Sequence, residues 1–270
     1  MRIARFVHGD SIHFGAVELE ADSGDHPDTV SVLSGDPLVA SVKFTGERHH
    51  LTEVRLLAPV IPRSKIVGIG RNYAAHAAEL GHEVPEAPLM FLKPNTAVIG
   101  PDEAIVYPPQ STRVDYEGEL AVVIGRMCKD VPVERAGEVI FGYTCANDVS
   151  ARDLQESDGQ WSRAKGFDTF CPLGPWIVTH LSLAEASDLD IQLSLTTVKG
   201  KTSEKQTSNT SLMVRSIAAL VAHVSAAMTL LPGDVILTGT PAGVGPLRPR
   251  NRVDVTIESI GTLSNPVASA

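Results

Sequence analysis

The sequence predicts a β-rich α+β fold, a sandwich or roll with a few helices, preceded by a small β-rich module. Three observations carry this. Short apolar, β-branched runs recur at 97–99, 104–107, 118–125, 139–145, 174–179, 190–198, 234–238 and 252–258. They are punctuated by Gly100-Pro101, Pro108-Pro109, Gly174-Pro175 and Pro232-Gly233, residue pairs that turn a chain. Strands do not alternate with helices and no segment repeats, which argues against a doubly wound parallel sheet.

Residues 1–58 hold alternating stretches such as Ile12 to Leu19, interrupted by a polar piece from Asp22 to Asp28. They form the small N-terminal module, and residues 59–270 form the main domain. Pro59 and Pro62 bracket the junction, after which Lys65 to Gly70 is a buried strand. Two stretches are helical. One is Asn72 to Leu80. The other runs from Ser211 to Met228, with Leu212, Ile217, Leu220, Val221, Val224 and Met228 on helical spacing.

At 270 residues, 43% of them hydrophobic and 20% charged, the chain can bury a sizeable core. A net charge of −9 disfavours nucleic acid or an anionic membrane as partner. It leaves room for a small anionic substrate, which needs only local positive charge. Three cysteines without a CxxC spacing suggest neither a disulfide frame nor a zinc knot. The first residues hold no apolar stretch of signal-peptide length, and no run approaches the roughly 18 apolar residues of a membrane span. A cytoplasmic protein is expected.

VDYEGELAVVIG, residues 114 to 125, joins an acidic half to an apolar one. Asp115, Glu117 and Glu119 alternate, so on one strand they share a face, with successive acids about 7 Å apart. Burying unpaired carboxylates that close is costly. A hard divalent cation would resolve the repulsion, with the two glutamates supplying oxygens. A strand end whose acids face water accounts for the spacing equally well.

Gly142 to Gln155 runs an apolar strand into Asn147-Asp148, so Asp148 stands at a strand-to-helix corner, where it could supply a third oxygen. Ser150 and Asp153 resemble a capping box, and Arg152 and Gln155 share a helical face. His76 and Glu79, three apart on a helix, can form a general base for water, although surface pairs of this spacing are common. Gly81, Pro85 and Pro88 flank that helix with a segment suited to a lid. Thr238 to Gly245 can present backbone N–H groups to an anion or simply turn the chain; it lacks the lysine of a phosphate loop. The same two readings apply to Arg163 to Asp168, where Lys165 could be any surface lysine.

GIGRNYAAHAAELG, FLKPNTAVIGP, VDYEGELAVVIG, GYTCANDVSARDLQ, AKGFDTFCPLGPW and LLPGDVILTGTPAGVGPL occur here in the order seen in the fumarylacetoacetate hydrolase family. The chain resembles that family from about Ile61 to its C-terminus. The N-terminal module resembles one found on many bacterial members, often labelled 2-hydroxyhepta-2,4-diene-1,7-dioate isomerases. The resemblance implies a mixed β-sandwich roll, a Mg²⁺ cofactor (or Mn²⁺ or Ca²⁺), and a homodimer or dimer of dimers. Its substrate would be a small anionic 2-oxo acid.

By position, Glu117, Glu119 and Asp148 match the family's metal ligands, and His76 and Glu79 match the dyad that activates water. Lys165 and Gln155 match polar groups near the bound keto acid, Lys165 adding positive charge at the enolate. Arg152 matches a nearby arginine, and Thr240 the loop residue that receives the substrate carboxylate. Asp115 fits the pattern without a role. The reaction so implied is hydrolysis of a C–C bond in a 3-acylpyruvate-type substrate. Isomerisation of an unsaturated 2-oxo diacid and decarboxylation of an oxaloacetate-type acid are alternatives on the same site. A non-catalytic protein that binds metal or small acids is the alternative of another class.

Overall fold

Strand Gly118–Ile124 is buried along its whole length, because each of its faces meets a different core. Leu120, Val122 and Ile124 pack into one hydrophobic cluster with Leu193 and Val255; Ala121 and Val123 pack into a second with Ile66, Ile177 and Val235. Strand side chains alternate, so one apolar run feeds both clusters. Each fully buried Val, Leu or Ile contributes about 1.5–3 kcal/mol, which makes this strand the anchor of the site it carries.

The computed structural model describes residues 1–24 and 27–270. Gly118–Ile124 lies inside a 12-stranded mixed sheet. On one side come Ile140–Asn147, Cys171–Val178 and Arg2–His8; on the other come Val235–Leu237, Ile66–Gly70 and Leu89–Lys93. Most neighbours are antiparallel, but Val235–Leu237 runs parallel to Ile66–Gly70. A five-stranded sheet, ordered Thr202–Asn209, Asp190–Thr196, Arg252–Ile257, Gly261–Ser269 and Ile105–Tyr107, completes the sandwich. The two sheets meet where Gly118 faces the side chains of Leu193 and Val255. A small third sheet of Ser150–Ala151, Val114–Tyr116 and Gly245–Pro246 sits beside the acidic half of the central strand.

The first 58 residues are β-rich, as expected. Arg2–His8, Ser11–Glu18, Thr29–Leu33 and Phe44–His50 pair in order, and Arg55–Leu57 returns to the first strand with Leu57 opposite Arg5. Arg2 also pairs with Val178, so this sheet runs without interruption into the main one. Of the polar piece Asp22 to Asp28, Asp25 and His26 lie outside the described residues; before them Glu20–Ser23 makes one helical turn.

Three local expectations are corrected. The helix expected over 211–228 is Ile217–Ala227, because Ser216 caps it by accepting the Ala219 N–H, and Thr210–Leu212 is a separate 3₁₀ turn. The His76 helix spans only Ala74–Glu79: Asn72 is held outside it, donating to the carbonyls of Arg215 and Thr238 and accepting the Arg215 N–H. The Ser150–Asp153 capping box does not form. Ser150 pairs with Asp115 in the small sheet and donates to the Asp148 carbonyl. Asp153 instead accepts from Ser111 and Thr112; against the upward push of burial, these bonds hold its carboxyl down at about 2. Among the described residues, no helix is long and apolar enough to cross a membrane.

Candidate metal centre and active site

The acidic half of VDYEGELAVVIG is not one continuous strand. Regular pairing breaks at Glu117, between Val114–Tyr116 and Gly118–Ile124. Asp115 is thereby carried into the small sheet, opposite Ser150 and Pro246, and away from the glutamates' shared site. Asn147 and Asp148 lock the break: the Glu117 N–H donates to Asn147 Oδ1 at 2.9 Å, and the Asp148 N–H donates to the Glu117 carbonyl at 2.8 Å. The result brings one carboxylate oxygen each from Glu117, Glu119 and Asp148 within 4.8 Å of one another, all three side chains buried. An all-oxygen set of three carboxyl groups at this spacing suits a hard divalent cation.

Three buried cations face these acids. Lys165 Nζ donates to Glu117 and to Asp148, both at 2.7 Å. Lys93 Nζ, 2% exposed as a residue, donates to the other oxygen of Asp148. Arg152 bridges Glu117 at 2.5 Å and Asp115 at 3.1 Å, and also donates to Gln155 at 2.6 Å. Asp115 thus has a partner set of its own, completed by Arg113 at 3.0 Å; it holds Arg152 rather than a metal.

The pairing is uneven, and the protonation equilibria follow it. Burial pushes the Glu117 carboxyl up, but Lys165 and then Arg152 outweigh it and hold it well below the ordinary range. Burial lowers Lys165 less than Asp148 and Glu117 raise it, so the ammonium stays charged. Glu119 makes no ion pair among the described residues, and Lys165 only partly offsets its surroundings. It accepts only the Gly239 N–H, at 2.7 Å, and burial, Asp148 and Glu117 together drive its carboxyl well up. A divalent cation shared by the three acids would remove that penalty, so the residues present fit such an ion.

His76 Nδ1 lies 3.5 Å from Glu79 and makes no hydrogen bond, though it is buried. Burial lowers its pKa more than Glu117 and Glu79 raise it, so the imidazole is neutral at pH 7 and able to take a proton. Glu79 is positioned by the glycine-rich loop: both of its oxygens accept the Gly243 N–H at 3.1 Å. The loop does present N–H groups to anions, but these are the chain's own carboxylates, Glu119 and Glu79. Thr240, expected at a substrate carboxylate, donates its hydroxyl proton to the Gly118 carbonyl at 2.9 Å.

Two residues here escape sequence reasoning. Gln206, 1% exposed, accepts the Gly118 N–H at 2.9 Å and donates to Thr240 Oγ1 at 2.8 Å and the Pro241 carbonyl at 2.7 Å. It ties the backbone between the two glutamates to the Thr240 loop. Nothing in the polar stretch Thr202–Asn209 marks it. Lys93 does leave a signal, a lysine ending the apolar strand Leu89–Lys93, which can be buried only beside an acid.

These groups surround one cavity of about 250 Å³. Its inner wall is Glu117, Glu119, Asp148, Arg152, Gln155, Lys165, His76 and Thr240; Arg71, Leu80, His82, Phe91, Glu156 and Trp161 line the rest. The structure therefore brings every expected site residue except Glu79 to the cavity wall, and places Glu79 directly behind His76.

The profile of the Fumarylacetoacetate (FAA) hydrolase C-terminal family matches residues 65–268, and that of the Rv2993c-like, N-terminal family matches residues 1–59. Protein Rv2993c of Mycobacterium tuberculosis is 51% identical over 267 residues, spanning 99% of this chain and 98% of that one. The crystal structure of 5-carboxymethyl-2-hydroxymuconate delta-isomerase from Mycobacterium smegmatis is 50% identical, with a TM-score of 0.88 over 100% of both chains. Maleylpyruvate hydrolase from Sphingobium sp. SYK-6, in complex with manganese(II) ion and pyruvate, is 30% identical, with a TM-score of 0.78 over 100% of both chains. With a family profile spanning most of its length and these relatives spanning all of it, the chain belongs to the fumarylacetoacetate hydrolase family, whose members are enzymes.

Proposed function

We propose that the chain is a divalent-metal-dependent hydrolase that cleaves a C–C bond in a 3-acylpyruvate-type acid. One observation carries this: a neutral, buried imidazole and a buried three-carboxylate group line the same small cavity. Glu117, Glu119 and Asp148 would hold Mg²⁺ or Mn²⁺, which when bound supplies Lewis acidity toward the 2-oxo acid end of the substrate. The manganese and pyruvate held by the Sphingobium hydrolase support that pairing of metal and acid.

The remaining roles belong to the chain's own side chains. His76 takes a proton from water, and Glu79 supports the imidazolium that forms. The hydroxide so generated adds to the distal carbonyl. The C–C bond then breaks, its electron pair leaving with the pyruvate fragment as an enolate. Lys165 places positive charge beside that fragment, and a proton returned to its carbon completes pyruvate. Arg152 and Gln155 orient the acid end.

The test is turnover of a panel of acylpyruvates that EDTA stops and Mg²⁺ or Mn²⁺ restores. A folded protein that binds metal but turns over none of them would be a binding protein instead. The Mycobacterium smegmatis relative favours a second reading, isomerisation of an unsaturated 2-oxo diacid on the same residues. Isomerisation consumes no water, so incorporation of ¹⁸O from labelled water into a cleaved carboxylate separates the two.

A further inference from the structure

The outer wall of the cavity holds a charge that no ion pair or hydrogen bond among the described residues answers. Three cations line the cavity. Arg152 and Lys165 are committed to the acids of the inner wall. Arg71 lines the same space, half-buried, and among the described residues its guanidinium has no hydrogen bond and no ion pair. Its backbone is also unusual, with φ of 58° in the left-handed region that a non-glycine residue enters at a cost. The turn is fixed from both sides. Trp161 packs on Gly70, where a Cβ would stand 2.8 Å from the indole, and Asn72 is pinned to Arg215 and Thr238. A residue suited to that turn would be glycine or asparagine. The chain holds an arginine there instead, beside the aromatic pair Phe91 and Trp161, whose ring centroids are 5.3 Å apart.

We propose that Arg71 is a specificity-determining residue that receives a carboxylate at the acyl end of the substrate. Arg71 is then the group that tells a 2-oxo acid with a second, terminal carboxylate from one without it. This rests on the hydrolase reading above and names its substrate class. The inner wall binds the 2-oxo acid end and Phe91, its ring centroid 5.1 Å from Lys165 Nζ, flanks it, so the opposite end of a short substrate is left to Trp161 and Arg71. A planar guanidinium matches a carboxylate with two parallel hydrogen bonds, and an unpaired one offers them without first breaking an internal pair. A 250 Å³ cavity is at the small end for ligand sites and suits a metabolite of this size. Glu156 is the one acid on the outer wall; it is exposed to water, where its charge is screened.

The experiment compares two 3-acylpyruvates of equal chain length, one ending in a carboxylate and one in its methyl ester, with Mg²⁺ present. The wild type is expected to favour the carboxylate in kcat/KM, mainly through KM. Arg71→Gln should lower kcat/KM for the carboxylate about 10–100-fold, the worth of a charge-assisted pair, while changing the ester less than about threefold. Arg71→Lys should keep part of the preference. Inhibition by a saturated 2-oxo diacid and by its methyl ester gives the same comparison without turnover. Arg71→Gly, which relieves the backbone, should fold at least as stably and lose the preference, separating recognition from folding. Equal use of both substrates by the wild type, or equal loss of both in Arg71→Gln, would overturn the assignment and leave the hydrolase reading standing. A preference that instead vanishes in Glu156→Gln would overturn it too, by assigning the acyl end to the other charge. Turnover of neither substrate would overturn both.

Discussion

The two walls of the cavity are built on opposite plans. On the inner wall nearly every charge is held twice: Asp148 by two lysines, Glu117 by Lys165 and Arg152, Arg152 by two carboxylates and an amide. On the outer wall Arg71, His82 and Glu156 make no ion pair among the described residues, and Trp161 is half-buried. The difference is one of solvent. Buried charge must be paired or it costs several kcal/mol, whereas charge that keeps its water can wait for a ligand. The groups proposed to carry out the chemistry are therefore fixed by the fold, and those proposed to choose the substrate are left free.

This contrast should appear first as stability. Asp148→Ala leaves Lys93 and Lys165 buried without their shared partner, and is expected to destabilise the protein by about 3–5 kcal/mol and abolish metal binding. Chemical denaturation and a metal titration read the two effects, and a loss below about 1 kcal/mol would show that the lysines find other partners. Next in size is His76→Ala. It should slow acylpyruvate hydrolysis about 10²–10⁴-fold, yet spare most of any oxaloacetate decarboxylation, which needs no attacking water. Equal loss of both activities in a folded, metal-loaded variant would end that division of labour.

Gln206→Leu removes a donor to Thr240 and Pro241 and an acceptor for Gly118, and should cost about 1–3 kcal/mol in denaturant midpoint while raising KM for the oxo acid. The pH profile sharpens the comparison further. Burial keeps His76 below its ordinary value of 6.5, and the neutral form is the base. Hydrolysis should hold its rate as pH falls to that value and decline only below it, so a rise in activity centred above pH 7 would contradict a neutral, buried base. Smallest of all, Trp161→Phe on the outer wall should change stability by no more than about 0.5 kcal/mol and act on KM alone.

How much of this is legible in the sequence depends on where each partner lies. Glu117 and Glu119 announce themselves because alternating acids contradict the apolar strand that carries them. Asp148 and the His76–Glu79 spacing are visible for similar local reasons. Gln206 is not, because its partner Gly118 lies 88 residues away; Lys93, 55 residues from Asp148, leaves only the mark of a lysine ending an apolar strand. The same limit applies to the fold. Apolar runs reveal the central strands, but Thr202–Asn209 has a polar sequence and becomes a strand only because Asp190–Thr196 offers it an edge. Asp115 shows the reverse error. Its spacing groups it with the glutamates, and only the break at Glu117 sends it to Arg152.

The hydrogen bond from Gly243 to Glu79 bears on the order of events. The donor is backbone in a loop that also carries Thr240, and the acceptor stands 3.5 Å from the imidazole proposed as the base. A Cβ at position 243 would run into the Lys205 carbonyl, so the loop can hold this course only with glycine there. The helix bearing His76 has only six residues, too few to be stable alone, and the Gly243 N–H is one of the contacts that hold it. A shift of the loop toward an arriving acid would move the Gly243 donor, and with it the carboxylate beside His76. In the proposed hydrolysis, seating one end of the substrate and aiming the water at the other would become a single, synchronised act.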